Sequence, residues 1–149
     1  MKALILAAGV SRRLYPHTYN IPKCLLQVGN KPIIHYQLEA LSNLGVKEIT
    51  IIVGYHREML MRNVEKYFPE LVFDFVVNHH YFETNTAYSV FMGKERLDTD
   101  YLLMNADVVY PKKLLAKLFY SDYKNLLAVD VKSCGREEVK VINGGDNKV

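Results

Sequence analysis

Short unbroken apolar runs alternate along the chain with apolar stripes at helical spacing, and turn residues separate them. Residues 2–6 form an almost wholly apolar run, the pattern of a strand buried on both faces. A polar loop follows over residues 9–22. Pro32 opens a predicted helix whose Ile34, Leu38 and Leu41 fall at i, i+4, i+7, and Gly45 can stop it in a left-handed conformation. Residues 49–53 read as a second buried strand ended by Gly54-Tyr55. Leu60, Val64 and Tyr67 mark a second helical stripe, closed before Pro69. Residues 72–77 form a third strand. Thr84 or Asn85 can cap a third helix that turns Ala87, Val90, Phe91 and Leu97 inward. Residues 101–104 form a fourth strand ending in Asn105-Ala106-Asp107, and Pro111 begins a helix carrying Leu115, Leu118 and Phe119. Residues 126–131 and 138–142 complete the pattern as fifth and sixth strands, before the turn signal Gly144-Gly145-Asp146-Asn147.

Such alternation implies an α/β fold with a parallel or mostly parallel sheet and helices on both faces. Ligands in these sheets bind at the carboxyl ends of strands. The loops after Leu6, Val53, Val77 and Met104 are therefore the places to look for chemistry. No internal repeat or low-complexity segment interrupts the pattern.

At 149 residues, half of them hydrophobic and 23% charged, the chain can bury one domain's core and does not have the composition of a disordered segment. No apolar run approaches the ~18 residues that a spanning helix needs, and the opening run is too short and too soon polar for a secretory signal. Lys plus Arg number 19 against 16 Asp plus Glu, a net charge of +3. That mild excess suits a site for small anions better than a nucleic-acid surface, which would need a concentrated patch, and no membrane partner is expected. Cys24 and Cys134 stand far apart, which excludes a disulfide framework and a cysteine-rich zinc site and points to a reducing cytoplasm.

The first of these loops carries the most chemistry. Ala7, Ala8 and Gly9 are small enough for a ligand to approach the backbone closely, and the N–H groups that follow can form an anion-binding nest. Arg12, Arg13 and Lys23 add positive charge within a short stretch; an Arg fork suits polyphosphate oxygens and Lys supplies a point charge. A dinucleotide fingerprint would need glycine where Ser11 and Leu14 stand, and the Gly-Lys-Ser/Thr of a P-loop is absent.

Residues 6–23 resemble the signature of the nucleotidyltransferase family that includes sugar-1-phosphate nucleotidylyltransferases and phosphocholine cytidylyltransferases. Its pattern is L-A-A-G-x-G-[TS]-R-[LM]-x-P-x-T, a spacer, then P-K. Gly9, Arg13, Leu14, Pro16, Thr18, Pro22 and Lys23 match, as does Val28-Gly29-Asn30-Lys31-Pro32-Ile33-Ile34 downstream. Gly54-Tyr55 and Asn105-Ala106-Asp107 also sit where family motifs sit. Two positions depart: Ser11 replaces the second glycine, and Arg12 replaces the Thr or Ser.

The resemblance implies a Rossmann-like three-layer sandwich with a mostly parallel, mixed sheet, of nucleotidyltransferase type. It implies an enzyme in which an acceptor's phosphate oxygen attacks the α-phosphorus of a nucleoside triphosphate (CTP, or dTTP/UTP) and pyrophosphate leaves. The acceptor is a sugar 1-phosphate or phosphocholine, and the stretch 81–89 leans toward phosphocholine. By resemblance, the backbone of residues 9–12 cradles the phosphates, with Ser11 and Arg12 in that loop. Arg13 stabilises the departing pyrophosphate, Lys23 the charge at the α-phosphate, and Asp107 binds Mg²⁺. Ala7, Ala8, Asn78 and Asn85, with Tyr55 or Tyr88, fall by position around the base; Asn85 can equally cap the third helix. A homo-oligomer is compatible with this reading, and a non-catalytic nucleotide- or sugar-nucleotide-binding module is its rival. Arg13, Lys23 and Asp107 together favour the enzyme.

Other candidates carry less. His79 and His80 are neighbours that an extended chain points to opposite faces, with no third ligand at metal-site spacing. Asp98-Thr99-Asp100 spells the D-x-D metal motif of glycosyltransferases but precedes the fourth strand instead of following it. Cys24 reads as a small packed side chain. The return strand after the glycine turn has barely begun at Lys148-Val149, so the sequence is expected to be the nucleotide-binding core, an N-terminal portion cut inside a hairpin.

Overall fold

The computed structural model describes residues 1–133, 135 and 140–142. Its centre is a four-stranded parallel sheet built from β1 (Lys2–Ala7), β4 (Glu48–Val53), β5 (Val72–Val77) and β6 (Tyr101–Asn105), in the order β5-β4-β1-β6. A two-residue antiparallel ribbon, β2 (Gln27–Val28) with β3 (Lys31–Pro32), lies apart from it. The helices are α1 (Ile33–Asn43), α2 (Arg57–Tyr67), α3 (Thr86–Met92) and α4 (Lys112–Phe119).

Register decides which residues share a face. Ala3, Ile5 and Ala7 pair with Ile49, Ile51 and Val53, and Ala3 and Ile5 also pair with Leu102 and Met104. That face carries the main core, closed by Ile34, Leu38 and Leu41 of α1, Leu60 and Val64 of α2 and Leu115 of α4. The stripe expected of α1 is the face it buries; that of α2 is buried at Leu60 and Val64, whereas Tyr67, at the last turn, is exposed. Gly45 ends α1 at φ 78°, and Val46 N–H reaches back to the Leu41 carbonyl at 3.0 Å, closing the helix with a Schellman-type bond.

The opposite face is smaller, with Leu4, Ala8 and Ile52 at its heart. Here α3 packs through small residues. Ser89 is buried, and a Cβ on Gly93 would lie 3.0 Å from Leu4 Cδ1 and 3.3 Å from Ile52 Cδ1. This corrects the face expected of the third helix in part: Ala87 and Phe91 are exposed and Val90 is half-buried, while Leu97, beyond the helix end, does pack against this face. Close approach of a helix to a sheet selects small side chains four residues apart, so the large apolar residues turn outward.

Residues 126–131 form no strand and are exposed. Their apolar run meets the compositional demand for a strand, but a strand needs a ladder partner, and none lies alongside among the described residues. Of the sixth predicted strand, residues 140–142 form no strand; residues 138 and 139, the turn at residues 144–147 and Cys134 lie outside the described residues.

Two core positions bear on the loops at the strand ends. Gly54 follows β4, where a Cβ would stand 2.7 Å from the Ala8 carbonyl oxygen and 2.8 Å from Tyr81 Cβ. Only glycine lets these three segments meet. Cys24 is buried in the main core, and its thiol is pushed up to about 12, first by loss of solvation and further by the charge of Asp107.

Two outcomes follow. Gly54→Ala should lower stability in urea unfolding by about 1–3 kcal/mol, the usual cost of overpacking; an unchanged midpoint would contradict the close approach. In a Cys134→Ser background, Cys24 should resist Ellman's reagent at pH 8, where a thiol of this pKa is only about 10⁻⁴ ionised. It should react promptly once urea unfolds the chain. Fast labelling of the native protein would contradict its burial.

Candidate functional site

The strand order has a switch point. From β1 the chain builds outward through β4 to β5, then returns to place β6 on the other side of β1. The crevice beyond the carboxyl ends of strands at such a reversal is where open α/β sheets bind ligands. A cleft of about 400 Å³ opens there. Leu6, Ala7, Ala8, Gly9 and Ser11 line it from the end of β1, Asn105, Ala106 and Asp107 from the end of β6, and Lys23 and Cys24 from the loop between. Asn78, Tyr81, Thr84, Asn85, Thr86 and Ser89 form the far wall.

The loop after β1 is held by its own residues. Ser11 adopts the left-handed region at φ 56°, ψ 46°, the conformation for which glycine is the low-cost residue. Its carbonyl accepts from Leu14 N–H at 3.0 Å and from the hydroxyl of fully buried Thr18 at 3.1 Å. The matched Thr18 thus pins the turn that Ser11 makes. Among the described residues, no main-chain carbonyl takes a hydrogen bond from the N–H groups of Gly9, Val10 or Ser11, which suits an anion nest. The hydroxyl of Tyr55 donates to the Tyr19 carbonyl at 2.6 Å, and His56 Nε2 lies 3.0 Å from the same oxygen. Tyr55 therefore clamps the loop to the end of β4 and does not line the cleft.

Arg12 and Arg13 follow in a single turn of 3-10 helix, Arg12–Leu14, and stand outside the cleft lining. The Arg12 guanidinium lies over the Phe82 ring at 5.5 Å from its centroid, a cation–π contact between the first loop and the far wall.

Lys23 and Asp107 meet across the cleft, with Nζ 2.6 Å from Oδ2. Each is placed by buried neighbours. Lys23 opens the turn Lys23–Leu25, whose Cys24 and Leu25 are core residues. Ala106 N–H donates to the Leu6 carbonyl at 3.1 Å, extending the β1–β6 ladder past its end. Gln37 of α1, wholly buried, donates from Nε2 to the carbonyls of Asn105 at 2.8 Å and Val108 at 2.7 Å. Among the described residues, no three His, Cys, Asp or Glu side chains converge on a metal position. One carboxylate in an anion-binding cleft does fit Mg²⁺, which takes one or two protein carboxylates and fills its shell with water and substrate phosphates. Asp98 and Asp100 lie at the opposite edge, where Asp98 pairs with Lys2 and the Asp100 carbonyl accepts from Lys2 N–H.

The far wall differs from expectation in detail. Asn78 lines the cleft, but both ends of its amide hold the next turn: Nδ2 donates to Thr84 Oγ1 at 2.9 Å, and Oδ1 accepts from His80 N–H at 2.9 Å. Asn85 Oδ1 accepts from Tyr88 N–H at 3.1 Å, so its carbonyl oxygen caps α3. Tyr88 is not in the lining. Thr84, Thr86 and Ser89 lie in the stretch 81–89 singled out by resemblance, but sequence reasoning assigned them no individual place in the cleft, and it missed Gln37. The signal for Gln37 was present: a polar residue inside the apolar stripe of Ile34, Leu38 and Leu41.

The nucleotidyl transferase family profile matches residues 2–135. Over the whole chain the sequence is 39% identical to choline-phosphate cytidylyltransferase of Streptococcus pneumoniae, covering 62% of that protein. It is 34% identical to CTP:phosphoglutamine cytidylyltransferase of Campylobacter jejuni over 90% of this chain and 54% of that one. The solved structure of CTP:phosphocholine cytidylyltransferase from Streptococcus pneumoniae superposes with a TM-score of 0.64 and 43% identity, over 71% of this chain and 44% of the other. The chain thus spans about three fifths or less of the length of these curated relatives. Among its described residues, no helix is long and apolar enough to cross a membrane. The matched profile, these identities and the cleft at the switch point place the chain in the nucleotidyl transferase family.

Proposed function

We propose that the cleft binds a nucleoside triphosphate, CTP in the first instance, and that the protein transfers its nucleoside monophosphate to a phosphorylated small molecule. The observation that carries this reading is the Lys23–Asp107 pair, 2.6 Å apart at the mouth of a small-residue loop. A phosphate oxygen of the acceptor attacks the α-phosphorus, the bond to the α,β-bridging oxygen breaks, and pyrophosphate leaves with that oxygen. Two anions must meet and a third depart, so placement and cationic stabilisation carry most of the work.

In this reading, the N–H groups of Gly9 to Ser11 hold phosphate oxygens. Lys23 leaves Asp107 for the α-phosphate, where negative charge develops. Arg13, on the turn that follows Ser11, stabilises the departing pyrophosphate, and Arg12 adds a second charge beside it. Asp107 would hold Mg²⁺, which supplies charge neutralisation to the phosphates when bound. The relatives named for choline-phosphate and phosphoglutamine transfer favour CTP and a non-sugar acceptor. The cytoplasm, reducing for Cys24, is the proposed compartment.

Pyrophosphate release should be measured with four nucleoside triphosphates against phosphocholine and several sugar 1-phosphates, in full-length protein. CTP with phosphocholine should give the highest rate, and chelation of divalent cations should abolish it. Nucleotide binding without pyrophosphate release for any acceptor would favour the binding module instead. Arg13→Ala, Lys23→Ala and Asp107→Asn should each lower turnover about 100-fold or more, the usual cost of losing a transition-state charge partner. The half-exposed Lys23–Asp107 pair adds little to folding, so the Lys23 and Asp107 variants should melt close to wild type. Near-normal turnover in any of them would remove that residue from its role.

A further inference from the structure

Gln37 is an amide where the surrounding stripe calls for an apolar side chain. It lies between Ile34 and Leu38 on the buried face of α1 and has no exposed surface. Its Nε2 makes two hydrogen bonds to carbonyls 68 and 71 residues away in sequence, those of Asn105 and Val108. Its Oε1 has no partner among the described residues. A buried amide with an orphan acceptor is a cost that leucine or methionine would avoid. Turning the amide over would set its oxygen against two carbonyl oxygens, so the network fixes its orientation.

The two accepting carbonyls bracket Ala106 and Asp107. Ala106 is tied to β1 through its N–H, so the backbone around Asp107 is held from the sheet and from α1. The same helix is anchored to the Lys23 turn, because Ile33 N–H donates to the Leu26 carbonyl at 3.1 Å and Leu26 N–H to the Lys23 carbonyl at 3.0 Å. Both members of the ion pair are thus referenced to α1, and Gln37 makes the link to Asp107.

The geometry points to Gln37 as the positioning residue of the Asp107 carboxylate, setting how well the cleft receives a nucleotide's divalent cation. This inference rests on the reading of Asp107 given under the proposed function. Gln37 touches neither substrate nor cation; it acts through the Asn105–Val108 turn, as groups behind metal ligands do.

The test is the ratio of CTP affinities with and without Mn²⁺, measured by calorimetry on the full chain, together with steady-state kinetics. Gln37→Met keeps length and apolar burial and removes the donors. It should lower the Mn²⁺-dependent gain in CTP affinity about 10-fold or more, with metal-free CTP affinity within about 2-fold of wild type. The KM for CTP with the cation present should rise in step with that loss, and turnover should fall about 10-fold or more. Gln37→Glu keeps the shape and replaces the donors with an acceptor, and should lower the ratio at least as far. A variant that retains the wild-type ratio and turnover overturns the inference. So does parallel loss of metal-free binding, coupled binding and melting temperature, which marks a packing residue. Asp107→Asn separates the two layers: if it leaves the Mn²⁺ gain intact, the role of Asp107 fails; if it abolishes the gain while Gln37→Met does not, only the role of Gln37 fails.

Discussion

The parallel register of β1 with its two neighbours is the constraint from which the site follows. Ala7 pairs with Val53 on one side and Leu6 with Asn105 on the other, so three strands end at nearly the same height. The chain reverses direction across β1, with α1 and α2 on one face of the sheet and the returning α3 on the other, and a crevice remains beyond the ends of β1 and β6. A one-residue slip in either ladder would turn Ile5 or Met104 out of the core. The same burial that stabilises the sheet therefore holds Gly9 and Asp107 at one edge.

What the fold brings to that edge is a balanced pair of charges on well-anchored backbone. Lys23 stands on a turn whose next two residues are core, and Asp107 on a turn tied to β1 and α1. Opposite charges in contact offset one another in the resting cleft. A triphosphate arriving with a cation offers each a new partner of opposite sign, so opening the pair exchanges one set of attractions for another. Thr18, Tyr55 and Gly54 serve the same end indirectly: they pin the loop after β1 so that its N–H groups face a fixed point.

The buried strands and the helices on the main core face were legible in the sequence because each writes its burial as a period. So was the first loop, where small residues and cations coincide. Less legible were features governed by close approach or by a partner. The third helix buries Ser89 and Gly93, and no hydrophobic count favours such residues. Residues 126–131 have the composition of a strand, but among the described residues there is no ladder for them to join. Asn78 and Asn85 line the cleft, but the sequence alone could not show that their oxygens are committed to local hydrogen bonds. Gln37 was visible only as a polar residue in an apolar stripe, and its meaning depends on a contact with residues about seventy positions away.

The most direct test of the central claim is a crystal structure of the protein with CTP and Mg²⁺ bound. The account predicts the triphosphate against the main chain of residues 9–11, with Lys23 Nζ moved from Asp107 to a phosphate oxygen and Asp107 facing the cation. A nucleotide bound away from this cleft, or phosphates out of reach of Lys23 with the 2.6 Å contact to Asp107 intact, would contradict it.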